Sequence, residues 1–127
     1  MAAAADVEVA LRRLAAANDL PRREGAALGG WRWTLRQRLT AVRDALLAEH
    51  DVHAGDGWLA ARGGAAIRER HALLTRLGVL GSRALEDADV GAVRAEVARL
   101  VVDVHHHVQR MRDLAYDEVE LELGGSE

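Results

Sequence analysis

The sequence predicts an all-α fold, an up-down-up-down four-helix bundle that forms a single domain over residues 1–127. Apolar residues recur at helical spacing in four segments, and residues that interrupt helices lie between these segments. No segment alternates polar and apolar residues for long enough to predict a strand. Four helices with one apolar face each bury those faces most economically against one another. We expect the ends of the chain, 1–5 and 124–127, to be flexible.

Proline and glycine bound the first two predicted helices. The first helix spans about 6–18 and ends before Pro21, because the ring of this proline disfavours a continuing helix. The second helix spans about 31–54 and ends at the glycines of positions 55 and 57. The apolar stripes of these two helices are Val7, Ala10, Leu11 and Leu14, and Leu35, Leu39, Val42 and Leu46.

The last two predicted helices follow a second pair of glycines at 63–64. The third helix spans about 65–80, and Gly81 is its predicted C-terminal stop. The fourth helix begins after Asp87 or Asp89, since either side chain accepts amide hydrogen bonds as an N-cap, and it ends near 121–123. The inner face of the third helix is predicted to carry Ile67, His71, Leu74, Leu77 and Gly78. The stripe of the fourth is Val93, Val97, Leu100, Val104, Val108, Met111 and Ala115.

Composition narrows the classes of function. The chain contains no cysteine, which excludes disulfides, thiolate metal sites and thiol nucleophiles. The formal net charge of -3 gives no electrostatic reason to expect nucleic acid or an anionic membrane as a partner. A cytoplasmic location is expected, because the sequence shows neither a secretory leader pattern nor a long apolar run. The few hydroxyl side chains form no catalytic constellation, which favours a non-enzymatic role.

Three consecutive histidines, His105-His106-His107, interrupt the apolar stripe of the fourth helix. A helix advances by about 100° per residue, so only one histidine of such a triplet can face the core. With Val104 at the centre of the apolar face, His107 lies about 60° to one side. His105 then lies near the other edge of that face and His106 points toward solvent. His107 is therefore the inward histidine.

Other ionisable residues continue the core stripes of the second and third helices. Glu49 and His53 are one turn apart on the second stripe, His50 lies at its edge, and His71 faces inward on the third helix. Together with His107 they form a candidate metal site, because bundles build such sites from inward His, Asp and Glu side chains. The alternative is a set of buried polar pairs that need no metal, such as a histidine with a carboxylate, or Glu49 with Arg70.

The same residues carry a resemblance to a known family. The order of an HDVH segment at 50–53, ERHALL at 69–74 and HVQRMRDLAYD at 107–117 resembles the hemerythrin-like, or HHE cation-binding, four-helix bundles. The resemblance covers about 31–125 and implies a centre in which histidines and carboxylates from the helices hold two iron ions. The tail resembles a divergent branch at His107, Gln109, Arg110, Asp113, Leu114, Tyr116, Asp117 and Gly124-Gly125.

The sequence also departs from the ligand pattern of that family. The family pattern calls for a carboxylate four residues after each ligating histidine, but this chain has Ala54 after His50 and Met111 after His107. The first helix contains no histidine. The resemblance therefore implies a degenerate member that holds a single ion of iron or another divalent metal, another ligand, or nothing.

Two hypotheses of function follow. In the first, a degenerate hemerythrin-like binding protein holds a metal ion or small ligand between its second, third and fourth helices, at Glu49, His50, His53, His71 and His107. In the second, a metal-free helical module mediates dimerisation or binds a protein partner. The first helix and the segment Trp31-Arg32-Trp33 are then the natural contact surfaces.

Overall fold

The described part of the chain consists of four helices. A computed structural model describes residues 2–19, 25–53 and 64–125, with side chains described over 6–19, 25–49 and 64–114. These ranges contain no strand, and the all-α four-helix prediction is confirmed. The helices are α1 (Ala2–Asp19), α2 (Ala26–His53), α3 (Gly64–Glu86) and α4 (Val90–Gly125).

One continuous apolar core joins the four helices. The predicted stripes of α1 and α2 are buried, and so is the stripe of α4 from Val93 to Met111; Ala115 lies outside the described side chains. Burial of each leucine or valine contributes about 1.5–3 kcal/mol, so this core is the main source of stability. No helix of the described ranges is long and apolar enough to cross a membrane.

Each helix packs against the next along the chain, and α1 also packs against α4. Polar contacts pair opposite ends of neighbouring helices. Arg32, near the start of α2, donates to the backbone carbonyls of Ala84 and Asp87 at the end of α3, over 3.0 and 2.6 Å. Arg112 of α4 pairs with Glu8 of α1 over 2.9 Å. Such pairing is expected for antiparallel neighbours and favours the predicted up-down-up-down order.

The C-terminal end of α1 is held by side chains from other helices. The indole Nε1–H of Trp31 donates to the carbonyl of Ala17 over 2.9 Å, and Arg94 Nε donates to the carbonyl of Asn18, also over 2.9 Å. Asn18 Nδ2 in turn donates to the carbonyl of Arg94. The last carbonyls of a helix have no partner within that helix, so these bonds satisfy groups that would otherwise need water.

The predicted N-cap of α4 is confirmed. Asp89 Oδ1 accepts a hydrogen bond from the amide of Ala92, three residues later, over 3.0 Å. Asp87 Oδ1 accepts from the amide of Asp89 over 2.8 Å. The pKa of Asp87 is lowered because this backbone donor and Arg83 both stabilise its carboxylate. Both aspartates named from the sequence therefore take part in this helix start.

The predicted inner face of α3 is wrong at His71 and Gly78, which are exposed, whereas the predicted Leu74 packs against the core in a half-buried position. Of the residues predicted to face inward only Leu77 is buried, and His71 is exposed. Relative to the predicted orientation, α3 is rotated about its own axis by about one residue, or roughly 100°. The helix also continues to Glu86 and does not stop at Gly81. The apolar stripe of α3 extends past Gly81. A glycine within a helix destabilises it by about 1 kcal/mol, and the packing of this stripe outweighs that loss. The buried residues of α3 are Ala66, Arg70, Leu73, Leu77, Leu80, Gly81 and Ala84.

Candidate functional site

A cluster of charged side chains lies within the core where α2 ends and α3 begins. Glu49 of α2 and Arg70 of α3 are each 2% exposed, and His107 of α4 is 0% exposed. Charged side chains are almost never buried to this extent unless they are paired. These buried side chains continue to the surface through the partly buried Glu69 and through Arg110, whose side chain is 52% exposed. We call Glu49, Glu69, Arg70, His107 and Arg110 the charged cluster.

His107 lies between two carboxylates. Its Nδ1 is 2.7 Å from Glu69 Oε1, and its Nε2 is 3.2 Å from Glu49 Oε1. An ionised carboxylate only accepts hydrogen bonds, so donation from both ring nitrogens to two ionised carboxylates requires the imidazolium form. From α4, His107 therefore links α2 to α3 through hydrogen bonds to one carboxyl group on each of those helices.

Glu69 accepts hydrogen bonds from two residues of α4. Besides His107, Arg110 binds both carboxylate oxygens, with its Nε 3.1 Å from Oε1. Partial burial would raise the pKa of Glu69, but the hydrogen bonds and charges of Arg110 and His107 outweigh it, so the pKa of Glu69 lies below its ordinary value. Glu69 is thus held as a carboxylate.

Glu49 has a second positive neighbour in Arg70. Burial lowers the pKa of Arg70, and the negative charge of Glu49 opposes that shift. An arginine stays protonated in proteins, so Glu49 and Arg70 form an attractive pair within the core. Glu49 Oε2 is buried and makes no hydrogen bond to the residues that the structure describes. Two guanidinium groups and one imidazole of the charged cluster therefore lie beside two carboxyl groups.

The structure brings together two of the five predicted site residues. Glu49 and His107 are in contact, as the convergence of α2 and α4 predicted. His71 is exposed, because the turn of α3 places Arg70 in the core position. The side chains of His50 and His53 lie outside the described residues. His105 and His106 are exposed, so the choice of His107 as the inward histidine is confirmed.

Sequence reasoning missed Glu69 and Arg110 and named Arg70 only as an alternative partner of Glu49. The buried stripe of α3 repeats with alternating steps of four and three residues from Ala66 to Ala84, which is one of two helical patterns that the sequence of this segment allows. Only the pattern that includes Arg70 places Glu69 at the edge of the buried face. The pairing of Glu69 with Arg110 spans 41 positions, and no local pattern signals it.

The described donors do not fit the divalent metal that the hemerythrin-like resemblance implies. Both nitrogens of His107 already face carboxylates, and Arg110 binds both oxygens of Glu69. Arg70 places a positive charge beside Glu49, where it would repel a cation. Among the residues that the structure describes, no group of three or more His, Asp or Glu side chains is arranged to hold a metal ion.

The described residues define an all-α, four-helix fold with a charged cluster that extends from its core to its surface. Comparisons of the chain with protein-family models, curated proteins and solved structures find no match.

The lowered pKa of Glu69 predicts a loss of stability in acid. A group whose pKa is lower in the folded state contributes stability above its unfolded pKa, and that contribution is lost as the pH falls through the folded pKa. The free energy of unfolding should therefore fall more steeply below the ordinary glutamate pKa of 4.5 in the wild type than in Glu69→Gln. Urea titrations at several pH values test this prediction. Parallel pH profiles of the two proteins would contradict it.

Proposed function

We propose that the protein is a metal-free helical interaction module that forms a dimer through the outer face of α2. The observation that carries this proposal is Trp33, whose residue surface is 54% exposed although tryptophan normally buries a large apolar area. Exposed aromatic residues are enriched among the residues that dominate binding energy at protein interfaces. The hemerythrin-like resemblance then describes the ancestry of the bundle rather than a working metal centre.

Trp33 belongs to a stripe on one face of α2. Leu47, which is 38% exposed, follows it after 14 residues, and the exposed Thr40 lies midway between them. Residues seven apart in a helix lie on nearly the same face, so these three side chains form one line about 21 Å long. A homodimer pairs the same patch of two subunits. Antiparallel pairing about Thr40 places Trp33 of one copy against Leu47 of the other.

Substitution of Trp33 tests the proposed interface. Trp33→Gln should weaken the dimer by at least about tenfold, because a buried aromatic anchor contributes 1.4 kcal/mol or more at an interface. The matched control is Val102→Gln, which changes a residue on α4 that is 51% exposed. Sedimentation equilibrium over a range of protein concentrations measures both. A wild-type protein that stays monomeric, or equal dissociation constants for the two variants, would contradict the proposal.

The second candidate function is the binding of a metal ion or small ligand between α2, α3 and α4. One observation favours it. Glu49 Oε2 is buried and makes no hydrogen bond within the described residues, which leaves a lone pair for a cation or a donor group. The engaged nitrogens of His107 and the charge of Arg70 count against it. Equilibrium dialysis of the untagged wild-type protein against cobalt(II) distinguishes the two functions, because a metal-free module binds none in the core.

A further inference from the structure

A surface groove lies between α1 and α4, and none of its lining residues belongs to the charged cluster or to the exposed stripe of α2. Its volume is about 320 Å³, at the lower end of the range for small-molecule sites. Glu8 pairs with Arg112 at one end of the contact between the two helices, and Asn18 bonds to Arg94 at the other. The groove lies between these contacts, and its lining residues are Glu8, Leu11, Arg12, Ala15, Val101 and His105.

The floor of this groove is apolar. Leu11 is 4% exposed, and Ala15 and Val101 are half-buried. Leu11 belongs to the apolar core and Val101 packs against it, so the core holds the floor in place. Burial of apolar surface in such a concave site is favourable. The groove therefore offers a preformed surface to the apolar body of a small ligand.

The polar rim of the groove has an excess of positive charge. The carboxylate of Glu8 is already paired with Arg112 over 2.9 Å. Arg12 lies one turn after Glu8, is exposed, and makes no ion pair with the residues that the structure describes. On α4, the exposed ring of His105 supplies a further hydrogen-bond donor. Charge complementarity thus favours an anionic group at this rim.

We propose that the groove between α1 and α4 binds a small monocarboxylate with an apolar body, a molecule of the fatty-acid type. The body lies on Leu11, Ala15 and Val101, and the carboxylate accepts hydrogen bonds from Arg12 and His105. A guanidinium matches a carboxylate because two parallel N–H groups face its two oxygens. A single guanidinium suits one negative charge.

Octanoate is the probe for this site, and octylammonium, which has the same alkyl chain with the opposite charge, is the comparison. Two-dimensional NMR of the amide groups reports both the affinity and the location of binding. Octanoate should shift the signals of α1 and α4 along the groove. It should also bind at least about threefold more tightly than octylammonium, because the rim carries uncompensated positive charge.

Neighbouring residues supply matched variants, since one of each pair lines the groove and the other is exposed outside it. Arg12→Gln should weaken octanoate binding at least about threefold, and Arg13→Gln should leave it unchanged. Ala15→Leu fills the floor and should abolish binding, whereas Ala16→Leu should not. Alanine and leucine are both strong helix formers, so these two variants are expected to fold.

Three results would overturn the proposal. They are equal affinities for octanoate and octylammonium, signal shifts confined to another surface, and equal effects within either pair of matched variants. The comparison of the two probes uses the wild-type protein, so it stands even where a variant does not fold. The dimer proposed through Trp33 is measured by sedimentation without octanoate and does not depend on this result.

Discussion

Replacement of His107 by alanine should lower the free energy of unfolding by about 3–5 kcal/mol, the usual cost of removing one partner from a buried charged pair. His107 is fully buried and bonded to both Glu49 and Glu69. Without the imidazole, Glu49 keeps only the attraction of Arg70 and stays buried, and a cavity opens in the core. Urea denaturation at neutral pH measures the loss.

His106→Ala is the matched control for that variant. His106 precedes His107 by one residue, has the same chemistry and is exposed. Substitutions of exposed residues without special contacts usually change stability by less than about 0.5 kcal/mol. A difference of several kcal/mol between the two variants would show that burial and pairing of His107 stabilise the fold. Equal stabilities would contradict the charged cluster as described.

A second large loss of stability is expected when Trp31 is substituted. Trp31→Ala should destabilise the protein by about 3–5 kcal/mol, as is typical when a buried aromatic residue is truncated to alanine. Trp31 is 6% exposed, packs in the core, and donates its indole N–H to the carbonyl of Ala17. The substitution thus removes a core side chain and one of the bonds that hold the end of α1 against α2.

Trp33→Ala provides the comparison for Trp31→Ala, because it removes the same side chain two residues later on the exposed face of α2. Its unfolding free energy, measured below the concentration at which the protein associates, should change by less than about 0.5 kcal/mol. The two tryptophans would then have separate roles, one in folding and one in association. A larger loss for Trp33→Ala than for Trp31→Ala would contradict the assignment of faces.

The helical stripes of α1, α2 and α4 could be predicted from the sequence because their apolar residues dominate one face. Leu35, Leu39, Val42 and Leu46 allow only one orientation of α2, and that orientation also carries Glu49 into the core. In α4, the same argument selects His107 from the triplet of histidines. Where the apolar residues fix the orientation of a helix, they also fix which polar residues of that helix point into the core.

The orientation of α3 could not be predicted in the same way. Ile67 and Leu74 support one face and Leu73 and Leu80 another, so the apolar residues alone leave two orientations separated by about one residue. The observed orientation places Arg70 in the core, which a rule based on hydrophobicity rejects. Arg70 is tolerated in the core because the carboxylate of Glu49, on α2, provides an opposite charge. These residues are far apart in the sequence, so no local sequence pattern predicts their pairing.

The contacts of His107 predict that its two ring nitrogens donate hydrogen bonds to two carboxylates, with no metal between them. Nitrogen-15 NMR of the histidine side chains at neutral pH tests it most directly, with His107→Gln used to assign the signal. Both ring nitrogens of His107 should carry a proton, and burial should protect these N–H protons from exchange. A ring nitrogen of His107 that carries no proton, or one whose resonance shifts when a metal chelator is added, would contradict it.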